Sequence, residues 1–244
     1  MHSTQGLRAR PPAGQRAPRP VPAHLAAAAL TSALLAACGG GGGDAGTPAS
    51  GSYDLDALAT RLATTASRFE GLTGTDNLGN RYTASIVNAS AADGLFEGVT
   101  RRSYTSTQTL AMTGGPSETV VGRTYFSTGP YREYGTVAAG QPYTVVNMTA
   151  SLPTTAQVGQ SGAIGSYVAY ADSSKTTVEA NATLGWSLEA GSGGEVWACS
   201  ISTSRDVGAT ADDVQKTCYR TNAAGELLAA RITLTTTGFS LTLQ

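Results

Sequence analysis

The sequence predicts a mainly β protein, an antiparallel meander that forms an open barrel or a sandwich and is preceded by one short N-terminal helix. From Phe69 onward threonine, valine, tyrosine and serine dominate, and clusters of glycine, asparagine, aspartate and proline interrupt them about every ten residues. Many runs between these clusters alternate between apolar and polar residues, which is typical of antiparallel strands with one buried face. A single segment has helical periodicity, which excludes alternating βαβ units.

The helix is predicted directly after residue 53. Asp54 can cap its N-terminus by accepting a hydrogen bond from a backbone N–H of the first turn. Apolar residues then recur at helical spacing on one face: Leu55, Leu58, Ala59, Leu62, Ala66 and Phe69. After Phe69 the pattern changes to that of strands.

Candidate strands follow at residues 82–87, 94–104, 107–113, 118–127, 131–137, 143–151, 163–171, 176–190, 195–203, 216–221, 226–236 and 239–243. The run at 176–190 alternates most clearly, with one apolar face that comprises Val178, Ala180, Ala182, Leu184, Trp186 and Leu188. A loop at 152–162 separates two stretches, 69–151 and 163–243, with about six strands each. These could be two sheet halves of related shape within one β-rich domain at 54–244.

The first 37 residues have the order of a secretory leader. Residues 1–24 carry four arginines and no acidic residue, and residues 25–37 form an uncharged apolar stretch of 13 residues. About 20 apolar residues are needed to cross the hydrocarbon core, so this stretch is too short to remain as a transmembrane helix. We therefore expect residues 1–37 to be a signal peptide.

The leader ends in Leu35-Ala36-Ala37-Cys38, and a glycine-rich stretch at 38–53 follows that should act as a flexible tether. The four residues resemble the lipobox of Gram-negative bacterial lipoproteins. The resemblance implies cleavage before Cys38, palmitate-containing lipid on that cysteine, and attachment to the membrane through the lipid. Because Gly39 stands where inner-membrane lipoproteins usually have Asp, it also implies the outer membrane, with the face left open. The alternative is an ordinary secretory signal in which Cys38 is incidental.

The domain itself resembles a group of β-rich envelope lipoproteins of Gram-negative bacteria. The resemblance lies in residues 69–76 (FEGLTGTD), in residues 158–162 (VGQSG), and in Cys218-Tyr219-Arg220 with the following Gly225. It implies an envelope location and no particular activity.

Two further cysteines, Cys199 and Cys218, each lie inside a strand-like run. In an oxidising compartment they are expected to form a disulfide between neighbouring strands, which would stabilise the fold by roughly 3 kcal/mol. A redox-active pair is the alternative, but the spacing is far longer than that of a CxxC motif.

Composition removes several classes of function. Both histidines, His2 and His24, lie in the leader, so the mature chain lacks the imidazole base of Ser-His-Asp and Cys-His catalysis and the histidine ligands of catalytic zinc. Removing the four leader arginines from 16 Lys and Arg, against 17 Asp and Glu, leaves a net charge of −5. An acidic domain is a poor partner for nucleic acid. With no P-loop or dinucleotide fingerprint, we expect no cofactor and no metal.

Tyrosines cluster in the middle of the chain, at Tyr125, Tyr131, Tyr134 and Tyr143. They form either a binding face or part of the β core, since tyrosine is both amphipathic and a strand former. If they form a binding face, Tyr131 and Tyr134 should be partly exposed and close together.

Three functions remain open. The first is a non-enzymatic binding or structural module that contacts an envelope protein, glycan or lipid. The second is a carrier of an apolar ligand in a β half-barrel, against which the small number of Phe and Met residues argues. The third is a hydrolase that uses carboxylates alone, for which Glu189 and Glu195 are candidates because they flank a glycine-rich turn.

Overall fold

The computed structural model describes residues 51–192, 195–222 and 224–244. The predicted signal peptide, Cys38 and all but the last three residues of the predicted tether lie outside the described residues. Among the residues that are described, no helix is long and apolar enough to span a membrane.

The predicted helix is present as α1 (Leu55–Thr64). Asp54 is its N-cap, and the Asp54 side chain accepts a hydrogen bond of 2.8 Å from the backbone N–H of Ala57, as the sequence predicts. The helix is shorter than its apolar pattern suggests, because it ends at Thr64 and Phe69 already lies on the first strand. Pairing of that strand with its neighbour therefore outweighs the continued helical spacing.

Twelve strands follow the helix: β1 (Ser67–Thr75), β2 (Arg81–Phe96), β3 (Val99–Met112), β4 (Ser117–Ser127), β5 (Arg132–Ala138), β6 (Tyr143–Met148), β7 (Ser161–Tyr170), β8 (Val178–Ala190), β9 (Val196–Asp206), β10 (Asp213–Thr221), β11 (Leu227–Thr236) and β12 (Phe239–Leu243). Each strand pairs antiparallel with the next in sequence, so all twelve belong to one meandering sheet. The two stretches at 69–151 and 163–243 are parts of this sheet, since β6 pairs with β7.

The sheet curls until its first and last strands meet. Thr73 and Gln244 exchange two backbone hydrogen bonds of 3.0 and 3.1 Å, and Asp76 forms an isolated bridge with Leu241. The result is a nearly closed barrel, which confirms the mainly antiparallel β fold with a short helix before it. Such closure satisfies the edge groups that an open sheet would expose.

The strand assignment is wrong at three points, one of which is the predicted break between residues 104 and 107, which lies inside β3. β1 was not predicted, because Gly71 and Gly74 and a bulge between Phe69 and Leu72 hide its alternation. The predicted strand at 94–104 runs across a hairpin turn at Glu97 and Gly98, which both have positive φ angles of 49° and 75°. A glutamate in this turn gives a weaker signal than the usual Asn-Gly or Asp-Gly.

The core follows the alternation of the strands. On β8, Ala180, Ala182, Leu184 and Leu188 are buried inside the barrel, as predicted for this face, whereas Val178 is exposed where the strand begins. At one end of the barrel, α1 buries Leu55, Leu58 and Ala63 against these inner faces. The helix thus covers the end of the barrel that contains the candidate site.

Candidate functional site

Hydrogen bonds fix α1 and the residues before it over this end of the barrel. They join Tyr53 to Ala156 in both directions (2.8 Å each), the Leu55 N–H to the Pro153 carbonyl (3.0 Å), the Tyr131 N–H to the Asp56 carboxylate (2.8 Å) and the Arg61 guanidinium to the Gly225 carbonyl (2.7 Å). The acceptors and donors belong to three different connections of the barrel. The helix is therefore held around the rim as a cover.

Beneath this cover lies a cavity of about 120 Å³. Its walls are mainly apolar. The aliphatic side chains among them come from the helix, from the inner faces of β6 to β9 and, for Leu152, from the loop after β6: Leu55, Leu58, Ala59, Leu62, Val146, Met148, Leu152, Ile164, Leu184 and Ala198. For comparison of size, an engineered cavity of about 150 Å³ lined by Leu, Ile and Phe binds benzene. The space therefore suits a ligand with a small apolar body.

A bulge in β5 places one carboxyl group in this cavity. Tyr125 pairs with Gly135 while the next residue, Phe126, pairs with Glu133, so Tyr134 is an extra residue without a partner on β4. The extra residue reverses the alternation, and both Glu133 and Thr136 consequently face the interior, each 8 % exposed. Without the bulge, Glu133 would lie on the outer surface.

Glu133 has no partner for its charge. Its Oε1 atom is buried without a hydrogen bond, and no Lys or Arg is among the residues that line the cavity. Burial raises the pKa of Glu133 from 4.5 to about 8, because the charged form is poorly solvated there. At neutral pH the cavity wall therefore includes an uncharged carboxylic acid.

Three phenols share the cavity with Glu133. Burial raises the pKa values of Tyr104 and Tyr131 well above the ordinary value, and the neighbouring Glu133 adds to both shifts. Burial also raises the pKa of Tyr219 to about 12, which a hydrogen bond with Asn88 partly offsets. The phenols therefore stay neutral, and the Oδ1 atom of Asn88 is a second buried oxygen without a partner.

The four candidate tyrosines do not form one exposed face. Tyr131 is 7 % exposed and stacks on Phe126 inside the barrel, so the expectation that it lies exposed beside Tyr134 is wrong. Tyr134 is half-buried on the outer surface, where the Arg101 guanidinium lies 3.7 Å from the centre of its ring. The bulge separates the two rings, because it turns Glu133 inward and Tyr134 outward.

Tyr125 and Tyr143 lie on the outside of the sheet beneath the tip of the β2–β3 hairpin. Phe96 stacks on both rings, with centroids 4.8 Å and 5.5 Å away. The Tyr143 hydroxyl donates a hydrogen bond of 2.7 Å to Glu97. These two rings pack against the tip of the hairpin, so Phe96 covers the surface that a partner would otherwise contact.

The predicted disulfide is present. Cys199 on β9 and Cys218 on β10 occupy directly paired positions, with α-carbons 4.0 Å apart. A carboxylate oxygen of Glu189 and the two sulfurs lie within 4.8 Å of one another, a grouping that could in principle hold a metal. Both sulfurs are used in the disulfide, so neither is a thiolate ligand.

The two carboxylates considered for hydrolysis, Glu189 and Glu195, both form ion pairs with Lys or Arg side chains. Glu189 binds both Lys216 and Arg231, and Glu195 lies 3.1 Å from Arg220. Burial alone would raise the pKa of Glu189, but the hydrogen bond and charge of Lys216 and the charge of Arg231 outweigh it and lower the pKa. A lowered pKa of Glu189 is the opposite of what a general acid requires.

The opposite end of the barrel contains a second and more polar cavity of about 300 Å³. Glu179, Asp206 and Asp213 are its charged lining residues, and no Lys or Arg lines it. The opening at this end is therefore lined by the partly buried Asp206 and Asp213 and the exposed Glu179, whereas the cavity beneath α1 has one carboxyl group.

No family model, curated protein or solved structure matches this chain. The site must therefore be interpreted from its own geometry. Glu133 was not predicted from the sequence. The one local feature that could have indicated its inward position is Gly135, which has a φ of 154° next to the bulge.

Proposed function

We propose that this protein binds one small, largely apolar ligand inside its barrel, beneath α1. The observation that carries the proposal is the cavity of about 120 Å³ with aliphatic walls. It favours the second of the three functions open from the sequence, a carrier of an apolar ligand. The argument from few Phe and Met residues loses its force, because Leu, Ile, Val and Tyr on alternating positions supply the walls.

The size of the cavity supports a binding role over imperfect packing. Protein cores contain few voids larger than a water molecule. A space of about 120 Å³ is larger than such voids, so a ligand that fills it would gain van der Waals contacts with the walls.

A binding role also fits the chemistry of the cavity better than hydrolysis. Glu133 is the only Asp or Glu among the lining residues, whereas a glycosidase needs two carboxyl groups about 5 to 10 Å apart. Histidine is absent from residues 51–244, so a conventional base for nucleophilic catalysis is also missing.

The second part of the proposal concerns location. The lipobox and the glycine-rich stretch support a domain anchored to the outer membrane through lipid on Cys38. In that setting the protein would present its barrel to ligands, or to another envelope component, near the membrane surface. An outer-surface contact through Tyr134 and Arg101 is an additional candidate, because both are stacked on the outer face.

Ligand binding is tested with benzene and xenon on the purified protein. We expect saturating benzene to raise the melting temperature, by about 2 to 4 °C for each kcal/mol of binding free energy. The variant Ala59→Phe places a ring in the cavity from α1 and should abolish the shift. Ala57→Phe adds the same ring at an exposed position of the same helix and should retain it. A wild-type protein without any shift and without bound xenon would contradict the proposal.

Lipid attachment is tested by mass spectrometry of the mature N-terminus. We expect a mass increase for acyl chains on Cys38 that the variant Cys38→Ser lacks. An unmodified N-terminal alanine or glycine would show that the leader is an ordinary secretory signal.

A further inference from the structure

We propose that the ligand of this cavity is a small organic cation, a primary aliphatic amine bound as its ammonium ion by Glu133. This inference rests on the proposed function and names the class of ligand. It starts from a buried carboxyl group that the chain leaves without a partner.

The unpartnered atoms of the cavity are hydrogen-bond acceptors. Glu133 Oε1 and Asn88 Oδ1 are both buried and both lack a hydrogen bond, and both residues line the cavity. A ligand that satisfies them must supply donors. A primary ammonium group has three N–H donors, enough for both oxygens and a phenol oxygen.

The charges of the barrel interior favour a cation over an anion. Across the two cavities described above, the acidic lining residues are Glu133, Asp206, Asp213 and the exposed Glu179, and no lining residue is Lys or Arg. An anionic ligand would therefore enter a low-dielectric space without a counter-charge, which is costly. A cation would find a carboxylate beneath α1 and acidic side chains at the opposite end, which attract it from a distance.

The aromatic rings of the cavity favour the same class. Tyr104, Tyr131, Tyr219 and Trp186 all line it. Aromatic faces attract an ammonium group through their quadrupole, and the attraction is strongest where water is excluded. The aliphatic walls beneath α1 then accommodate the hydrocarbon part of the amine.

Binding changes the protonation of Glu133 in a defined way. In the empty cavity burial keeps the pKa of this carboxyl near 8. When the ammonium ion binds at lower pH, the carboxyl proton leaves to solvent and an ion pair forms. The titratable groups that face Glu133 are the phenols of Tyr104 and Tyr131, which stay neutral because their pKa values are raised. On β6, the Met148 sulfur accepts a hydrogen bond from the Glu133 backbone N–H. On α1, the Asp56 carboxylate accepts a hydrogen bond from the Tyr131 backbone N–H.

The test compares three probes that share one apolar body: 3-methylbutylamine, 3-methylbutan-1-ol and 3-methylbutanoate. Isothermal titration at pH 8.5 should show the amine binding at least about tenfold more tightly than either of the others, because only the amine forms a charge-assisted pair. At pH 6.5, titration in two buffers of different ionisation enthalpy should show close to one proton released for each amine bound.

Two variants assign the effect to Glu133. In Glu133→Gln the preference for the amine over the alcohol should fall to about one, and the proton release should disappear. Glu70→Gln removes the same charge from an exposed position and should change neither result. Equal or tighter binding of the alcohol or the carboxylate by the wild type, or an amine preference that survives in Glu133→Gln, would overturn the inference.

Failure of this inference can be distinguished from failure of the proposed function. If benzene binds but the amine has no preference, the cavity is a neutral apolar site and only the ligand class is wrong. If benzene and all three probes fail to bind, the proposed function is wrong as well.

Discussion

Glu133 and Glu189 lie on opposite sides of the same barrel wall and differ in what surrounds their carboxyl groups. Glu189, on the outer surface, binds Lys216 and Arg231, and its pKa is lowered despite its partial burial. Glu133, on the inner surface, has no cation, and its pKa is raised to about 8. One carboxyl group is therefore charged and the other neutral at pH 7.

The difference shows that partners, more than burial, determine which of the two glutamates is charged. The outer network lies entirely within the chain, since Lys216 and Arg231 both bind the Glu189 carboxylate and Trp197 covers the Arg231 guanidinium at 4.6 Å. The inner site is incomplete, because a carboxyl group faces a cavity that no side chain fills. Incomplete interactions of this kind are where a ligand can contribute what the chain does not.

The largest expected effect that separates the two glutamates comes from Glu133→Gln. The neutral acid stabilises the fold relative to its ionised form, so this contribution is fully present below the unfolded pKa of 4.5 and is lost as pH rises through about 8. At about 1.4 kcal/mol per pKa unit, the wild type should lose roughly 3 to 5 kcal/mol over this interval, and the variant should not. Urea unfolding at pH 5, 6.5 and 8 measures both profiles. Parallel profiles would mean that Glu133 is solvated, and the contrast with Glu189 would disappear.

The next effect concerns the disulfide beneath the outer network. Replacing both cysteines, in Cys199→Ala with Cys218→Ala, should lower the free energy of unfolding by about 3 kcal/mol, because the bridge restricts the unfolded chain. Guanidinium unfolding of the oxidised protein measures the loss. Adding a reductant should destabilise the wild type and leave the double variant unchanged. A reductant effect on the double variant would point to a cause other than this bridge.

The smallest effect comes from Glu189→Gln, and its pH dependence has the opposite sign. A lowered pKa means that the charged form stabilises the fold, so the contribution is present above the ordinary pKa of 4.5 and is lost as pH falls. Because the carboxyl group is partly exposed to solvent, we expect a loss of about 1 kcal/mol at pH 7 that vanishes in acid. Glu70→Gln, which breaks an exposed ion pair with Arg68, should cost almost nothing and serves as the control. A loss at pH 3 as large as at pH 7 would exclude an ionic cause.

Local patterns in the sequence were sufficient for much of the fold. Asp54 marks the start of α1, and the alternation from Ala180 to Leu188 identifies the buried face of β8. The pairing of Cys199 with Cys218 follows from two cysteines in strand-like runs, and the structure confirms it. Each of these signals depends on residues within one or two elements, which is why a single sequence reveals them.

The interior site could not be predicted in the same way. Glu133 and Tyr131 are two residues apart. On a regular strand both would be assigned to the outer face of the sheet, and only the bulge at Tyr134 turns Glu133 toward the interior. The cavity forms where α1 packs against β6 to β9, which are far from the helix in the sequence. Neither the bulge nor this long-range contact produces a periodic pattern in the sequence.

The closure between β1 and β12 has a consequence for the order in which the barrel assembles. Neighbouring strands pair through short connections, so hairpins can form locally and early, whereas Thr73 must find Gln244 across almost the entire domain. The entropy lost on closing so long a loop makes this a late step. The final position of α1 also depends on a distant part of the chain, because the Arg61 guanidinium donates a hydrogen bond to the Gly225 carbonyl. Although α1 precedes all twelve strands in the sequence, it is thus among the last elements to reach its final place, and a chain halted before β11 would expose the apolar walls that α1 later covers.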